Sequence, residues 1–136
     1  MEHIRSVCST VADLIGSDYA FRELNCHKLF STLLQRHAHV QNEVVIPYWE
    51  KVDGKLISLG SGRLDCLVYF DKKPVVIELK CVAENCTRTL EHKQQCLKYM
   101  RFFPEPVDVV LCTFYNNSRF TVREYKYVDY IENGVP

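Results

Sequence analysis

Two acidic residues and a lysine interrupt apolar runs in the middle of this sequence. They are Asp65, Glu78 and Lys80, and they lie in the stretch RLDCLVYFDKKPVVIELK. Two carboxylates that face each other repel, and loss of hydration raises that cost. A divalent cation between them would replace this repulsion with attraction. Magnesium suits this role, because it binds carboxylate oxygens while it keeps several waters. Because a nearby lysine can orient or deprotonate a metal-bound water, these residue types predict a site that hydrolyses phosphodiesters.

A predicted β-hairpin brings these side chains together. A two-residue turn at 71–72 places Asp65 opposite Glu78, and in the same register Arg63 lies opposite Lys80. The side-chain period of two then puts both carboxylates and the lysine on one face. The other face is predicted to be core and consists of Leu64, Cys66, Val68, Phe70, Val75, Ile77 and Leu79. An odd-numbered loop would instead place the two carboxylates on opposite faces.

The alternative for these charges is an ordinary solvated surface, on which Glu78 pairs with Lys80 and Asp65 pairs with Arg63. Short motifs produce many false positives, so this alternative stays open on the motif alone. Two features disfavour it. The charges cluster at one level of the hairpin, and the same face carries the apolar side chains Leu67, Tyr69 and Val76.

The elements that position these residues follow from hydrophobic periodicity. A first helix is predicted to end near Gly16, and a second helix is capped by Ser17 or Asp18. A third helix is predicted at residues 88–103, closed by prolines. Strands are predicted at 40–50, 56–59, 63–70, 75–81, 107–113 and 120–125. This order predicts an α/β or α+β fold, in which helices flank a mixed central β-sheet.

Length and composition predict one soluble domain that covers residues 1–136. The net charge is zero, which excludes a strongly basic protein that binds nucleic acid over its whole surface. Any contact with nucleic acid is therefore expected to be a local patch. No apolar run approaches the ~20 residues of a membrane helix, so no membrane partner is expected. The N-terminal segment carries acidic residues and does not resemble a secretory signal.

The sequence has seven cysteines and no CxxC pair. Four of them lie in apolar or helical patterns, where a free cysteine behaves as a small hydrophobe: Cys66, Cys81, Cys96 and Cys112. Free thiols predict an intracellular, reducing compartment, either cytoplasm or nucleus. A zinc site remains an alternative, although its spacing is not a usual one, with the ligands Cys81, Cys86, His92 and Cys96.

Three segments of the sequence resemble the PD-(D/E)XK nuclease superfamily, whose fold is called restriction-endonuclease-like. The segment GRLDCLVYFDKKPVVIELKCV, 62–82, resembles its Arg-x-Asp strand, tight turn and Glu-Leu-Lys strand. HKQQCLKYM, 92–100, resembles its later helix, and FRELNCHKLF, 21–30, resembles its early helix. The chain is most similar to the small GxxExxY group, although Ala20 and Cys26 replace that group's glycine and tyrosine. The resemblance covers roughly residues 18–125 and leaves a tail at 126–136.

The resemblance implies both a cofactor and a catalytic set. Magnesium, or alternatively manganese, would be held by Asp65 and Glu78, with the main-chain carbonyl of Leu79 as a further ligand. Lys80 would be the catalytic lysine. Gln95 would position the water or the phosphate. The implied catalytic residues are Asp65, Glu78, Lys80, Gln95 and Glu23, the last of which acts directly or through a water.

Residues at helical spacing on the predicted third helix add candidates for contact with nucleic acid. Arg88, His92, Gln95 and Tyr99 form one stripe at steps of four, three and four, with a basic neighbour at Lys93. A solvated stripe with a half-buried tyrosine is the alternative. Arg63 either binds a phosphate or neutralises a carboxylate. The candidate contacts are Arg63, Arg88, His92, Lys93 and Tyr99.

These observations lead to a magnesium-dependent nuclease acting on nucleic acid, with DNA favoured, in repair, recombination or mobile-element processing. One alternative is a catalytically inactive module for nucleic-acid binding or for assembly. The other is a structural subunit. A homodimer is expected because cleavage of two strands needs two sites. Trp49 could stack a base, although aromatic residues in strands usually pack on the core. The segment YKYVDY, 125–130, is expected to form a short amphipathic tail that packs on a neighbour.

Overall fold

The computed structural model describes residues 1–15, 23–83, 86 and 88–133. The helices in this part of the chain are α1 (Glu2–Ile15), α2 (Glu23–Leu34), α3 (Thr89–Phe102) and α4 (Tyr127–Asn133). The strands are β1 (His39–Val52), β2 (Lys55–Phe70), β3 (Lys73–Val82), β4 (Asp108–Tyr115) and β5 (Phe120–Tyr125). Within these ranges no helix has the length and the apolar character of a transmembrane span.

The strands form one sheet in the order β1-β2-β3-β4-β5. β3 and β4 are parallel, and the other neighbouring strands are antiparallel. Helices flank both faces, so the predicted mixed-sheet fold is confirmed. The predicted short strand at 56–59 is not separate, because β2 continues through it to Phe70.

The β2–β3 hairpin has the predicted two-residue turn, and Phe70 pairs with Lys73 across it. Asp71 and Lys72 both have positive φ angles, of 49° and 68°, as in a type I′ turn whose twist matches that of the strands. The pairing ends at residues 66 and 77. The predicted pairing of Arg63 with Lys80 is therefore wrong, because the two strands separate before they reach it.

Two hydrophobic clusters lie on opposite faces of the sheet. α1 and α2 cover the first cluster, which includes Cys66 and Val68. α3 covers the second cluster, which includes Leu64. The prediction that Leu64 shares a face with Cys66 is therefore wrong. The β1–β2 ladder is interrupted between Glu43 and Asp65, and Glu43 has a φ of 53° there. This local irregularity changes the face on which the next side chains lie.

The C-terminal segment packs on its own sheet. The backbone N–H of Tyr127 donates a hydrogen bond of 2.9 Å to Asp108 Oδ1. The ring of Tyr130 lies edge-on to that of Tyr125, with 6.3 Å between the centroids. The neighbour on which this segment packs is therefore its own sheet, because its aromatic side chains cover the second cluster.

A disulfide joins Cys26 of α2 to Cys81 of β3. The prediction that Cys81 is a free thiol is therefore wrong. It also removes Cys81 from the zinc alternative, whose member Cys96 is buried in the second cluster. Among the described residues no three His, Cys, Asp or Glu side chains form a metal-binding group. The reducing compartment stays a prediction.

Candidate active site

Asp65 and Glu78 lie where β2 and β3 separate, one residue beyond the last paired position. The backbone N–H of Leu79 donates a hydrogen bond of 2.8 Å to Asp65 Oδ2. Beyond the end of the ladder, this N–H is not paired with a β2 carbonyl, and it donates to the Asp65 carboxylate instead. This bond holds one carboxylate against the strand that carries the other.

Glu78 is buried in the sheet, with 2% of its surface exposed. Burial, followed by the interaction with the neighbouring Asp65 carboxylate, raises the pKa of Glu78 to about 9, and Lys80 opposes this shift. Glu78 Oε2 is buried and has no hydrogen-bond partner among the described residues. A buried carboxyl oxygen without a partner costs free energy, and a cation beside it would remove that cost.

The donors at this point fit a hard divalent cation. Asp65 and Glu78 offer carboxylate oxygens, and one of these oxygens is buried without a partner. Magnesium is commonly bound through one or two carboxylates while it retains waters, so two acidic residues are sufficient. A set of three or more protein side chains is not needed for such an ion.

Lys80 lies on the α3 side of β3, two residues after Glu78. It lines a cavity of about 420 Å³ between the end of β3 and the start of α3. The other lining residues are Cys81, Val82, Arg88, Glu91, His92 and Gln95. The structure therefore brings Lys80 and Gln95 together, as the resemblance implied, on the face that also carries Glu78.

Gln95 is held in place by a short chain of hydrogen bonds. Its Nε2 donates to Tyr99 Oη at 2.9 Å, and Tyr99 Oη donates to the carbonyl oxygen of Arg63 at 2.9 Å. Burial and the charge of Glu78 raise the pKa of Tyr99. Because only 3% of its surface is exposed, Tyr99 does not fit the predicted contact with nucleic acid. It connects α3 to β2 instead.

The remaining basic candidates lie at the rim. Arg88 forms an exposed ion pair with Glu91 at 2.7 Å. His92 lines both the Lys80 cavity and a neighbouring cavity of about 210 Å³ that Lys93 also borders. Arg63 is exposed and pairs with Val45 of β1.

His27 of α2 is a residue that the sequence analysis missed. Its Nε2 lies 3.6 Å from Asp65 Oδ1 and has no hydrogen-bond partner in the described part of the chain. Glu23, the predicted contributor from this helix, belongs to α2, but its side chain lies outside the described set. The spacing could have revealed His27, because residues four apart lie on the same helix face.

A family model of the PD-(D/E)XK nuclease superfamily matches residues 1–125. The chain belongs to this superfamily. Membership confirms the resemblance seen in the sequence and agrees with the restriction-endonuclease-like fold described above. PD-(D/E)XK proteins are generally nucleases that use divalent metals, so the family suggests a nuclease with a nucleic-acid substrate. The narrower GxxExxY assignment stays a prediction.

Among solved structures, this PD-(D/E)XK chain is similar to the one named "Crystal structure of SSO0001". The two share 22% sequence identity at a TM-score of 0.55. The match covers 78% of this chain and 53% of that chain, so the chain spans about half the length of that structure. At this identity the likeness shows the fold alone. No curated protein matches the chain.

Proposed function

We propose that the protein is a magnesium-dependent nuclease that hydrolyses phosphodiester bonds, with DNA as the favoured substrate. The observation that carries the proposal is the Asp65–Glu78 pair, in which Glu78 is buried and its Oε2 is without a partner among the described residues. Two adjacent carboxylates at the separating ends of two strands are unfavourable unless they bind a proton or a cation. A bound catalytic metal ion would offset the free-energy cost of placing these two carboxylates together.

Asp65, Glu78 and the carbonyl of Leu79 would hold the Mg²⁺, and Mn²⁺ suits the same oxygens. Bound there, the ion would polarise the phosphoryl oxygen and lower the pKa of its water. The Leu79 N–H fixes one carboxylate oxygen of Asp65 at 2.8 Å, so this carboxylate is already oriented.

The side chains around the carboxylates would handle the water and the phosphate. Lys80 would orient or deprotonate the attacking water and offset the charge that develops on the phosphate. Gln95, held by Tyr99, would position the same water or a phosphate oxygen. His27 would steady Asp65 from α2, and Glu23 of the same helix would contribute directly or through a water.

Basic side chains would contact the phosphate backbone beside the site. These residues are Arg63, Arg88, His92 and Lys93. Because the net charge of the chain is zero, this contact would be local. A role in repair, recombination or mobile-element processing, in the cytoplasm or nucleus, belongs to the same proposal.

The test compares wild type with Asp65→Asn/Glu78→Gln in two assays. Calorimetry measures magnesium binding, and end-labelled single- and double-stranded DNA and RNA report cleavage. We expect wild type to bind the ion and cut DNA, and the double variant to do neither. Asp13→Asn, an exposed carboxylate on α1, is the matched control and should behave as wild type.

Two other outcomes would overturn this proposal. If wild type and the double variant bind magnesium equally and neither cuts, the paired acids are structural. If wild type binds nucleic acid without cutting any substrate, and chelation leaves that binding unchanged, the chain is instead a non-catalytic binding module on the nuclease fold.

A further inference from the structure

β1 and β2 extend well beyond the rest of the sheet. β2 pairs with β3 only through residues 66–70, whereas its pairing with β1 continues from residue 69 back to residue 55. Residues 44–64 therefore form a two-stranded ribbon without a third strand beside it. We call this ribbon the arm.

One face of the arm packs on α3. The ring of Tyr48 lies 4.7 Å from that of Phe102, measured between centroids, and Glu50 forms an ion pair with Arg101. Because side chains alternate along a strand, the residues between these contacts belong to the opposite, outer face. Their β2 partners in the register share that face. The outer face consists of Val45, Pro47, Trp49, Lys51, Leu56, Ser58, Ser61 and Arg63.

The outer face is apolar and positively charged. Val45, Trp49 and Leu56 are 58%, 49% and 68% exposed, respectively. Lys51 and Arg63 are also exposed, and none of the ion pairs between described residues involves either. None of the eight residues carries a carboxylate. A surface that combines an exposed aromatic ring with unopposed cations matches the bases and phosphates of nucleic acid.

This face begins at the candidate active site. Arg63 precedes Asp65 by two residues on β2, and its carbonyl oxygen accepts the hydrogen bond from Tyr99 that also positions Gln95. A strand that lies along the outer face would therefore end two residues from Asp65, whose carboxylate His27 approaches from α2.

We propose that the outer face of the arm binds single-stranded nucleic acid. Trp49 stacks a base, Val45 and Leu56 extend the apolar surface toward the two ends of the arm, and Lys51 and Arg63 contact phosphates. Stacking on an exposed ring requires a base that is not already stacked in a duplex, so the single strand is the form that fits. The inference rests on the proposed nuclease function and names the form of its substrate.

A protein strand added to the free edge of β1 fits less well. Pro47 has no N–H to donate to a partner strand, and the register shifts between Pro47 and Trp49. Both features weaken edge-to-edge pairing, whereas neither affects binding on the outer face. The face, not the edge, is therefore the surface available to a ligand.

The experiment uses Trp49 as the probe, because it is the only tryptophan in the sequence. Oligothymidylate is titrated into the full chain in EDTA, so that binding is measured without cleavage. We expect saturable quenching of the tryptophan emission, and much weaker quenching by a blunt duplex of equal length. Lys51→Ala/Arg63→Ala should raise the Kd about tenfold. Lys55→Ala, paired with Val52 and off the outer face, is the control and should leave the Kd unchanged.

A second variant separates stacking from charge. Trp49→Ala should weaken binding of a fluorescein-labelled oligothymidylate, measured by anisotropy, by about 5- to 150-fold. Trp49→Phe should recover part of this loss. Far-ultraviolet circular dichroism checks that each variant is folded.

Three results would overturn the inference. The first is emission that oligothymidylate does not change, and the second is equal quenching by duplex and single strand. The third is an emission spectrum that depends on protein concentration together with a dimer in sedimentation, which would assign the face to a second copy of the chain. Quenching that persists in a protein that never cuts would instead refute the nuclease proposal and leave the arm as a binding surface.

Discussion

At the scale of single residues, Glu78 links the chemistry of the site to the stability of the fold. Burial, followed by the neighbouring Asp65, raises its pKa from an ordinary value of 4.5 to about 9. Between these two pH values the folded chain binds more protons at Glu78 than the unfolded chain does. The free energy of unfolding of the metal-free protein therefore falls as pH rises through this window.

The first prediction follows from this loss of stability with rising pH. Glu78→Gln should increase the free energy of unfolding at pH 8 in EDTA by on the order of 1 kcal/mol, because the amide folds without taking up a proton, whereas the Glu78 carboxylate must take one up. Urea unfolding at pH 5 and pH 8 measures the effect, which should be smaller at pH 5. Asp13→Asn is the control. An equal loss of stability from pH 5 to pH 8 in wild type and Glu78→Gln would contradict the prediction.

Lys80 permits a separation of metal binding from catalysis. Lys80→Ala should still bind magnesium in calorimetry, because both carboxylates remain, yet cleavage should slow by about 10²- to 10⁴-fold. Lys73→Ala removes an exposed lysine at the other end of the same strand and should cut at the wild-type rate. Unchanged cleavage by Lys80→Ala would show that this lysine has no part in the reaction.

At the scale of elements, the candidate site exists because two strands stop pairing. The β2–β3 ladder ends at residues 66 and 77, and the side chain of Asp65 accepts the hydrogen bond of Leu79 just beyond that point. α2 approaches with His27 from one face of the sheet, and α3 approaches with Gln95 and Tyr99 from the other. The site is therefore assembled from four elements at one end of a hairpin.

The arm depends on a close approach at Gly62. A Cβ atom at this position would overlap the ring of Tyr48, which packs on α3. Gly62→Ala should therefore lower the free energy of unfolding by about 1–3 kcal/mol, measured by urea unfolding. The adjacent exposed Ser61→Ala should change it by less than about 0.5 kcal/mol. In the background of Tyr48→Ala, the Gly62→Ala change should cost much less, because the clash is gone. Additive losses in the double variant would contradict this explanation.

At the scale of the whole molecule, the zero net charge limits how the proposed nucleic-acid substrate would be held. The cations that lie near the site or on the arm are few, and the ion pair of Arg88 with Glu91 offsets one of them. A small contact of this kind releases few counterions. Cleavage of both strands of a duplex would require a second copy of the chain, which belongs to the proposed function.

The salt dependence of binding should reflect this small contact. For about three phosphate contacts on a single strand, the plot of log Kobs against log salt concentration should have a slope of about −2. Anisotropy titrations with oligothymidylate in EDTA at several salt concentrations provide the measurement. Lys51→Ala/Arg63→Ala should make the slope shallower by about 1.4. A slope near −7 in wild type would instead indicate an extended basic surface.

The sequence alone was sufficient for the features that depend on local interactions. The turn at 71–72 follows from two residues at the boundary of two apolar strands, and the strand period then places Asp65 and Glu78 at adjacent positions. The stripe on α3 supports the placement of Gln95 at the site that the resemblance implied, and Gln95 and Lys80 line one cavity. These predictions hold because neighbouring residues in a strand or helix have a fixed geometry.

Only the tertiary structure decided which helix packs on which face. The contact of His27 with Asp65 and the disulfide of Cys26 with Cys81 join residues far apart in the chain, and no local period encodes them. The change of face at Asp65 depends on the positive φ of Glu43 in a neighbouring strand. Side-chain periodicity indicates which residues of a strand or helix are buried. The packing of elements that are distant in the sequence determines which residues they are buried against.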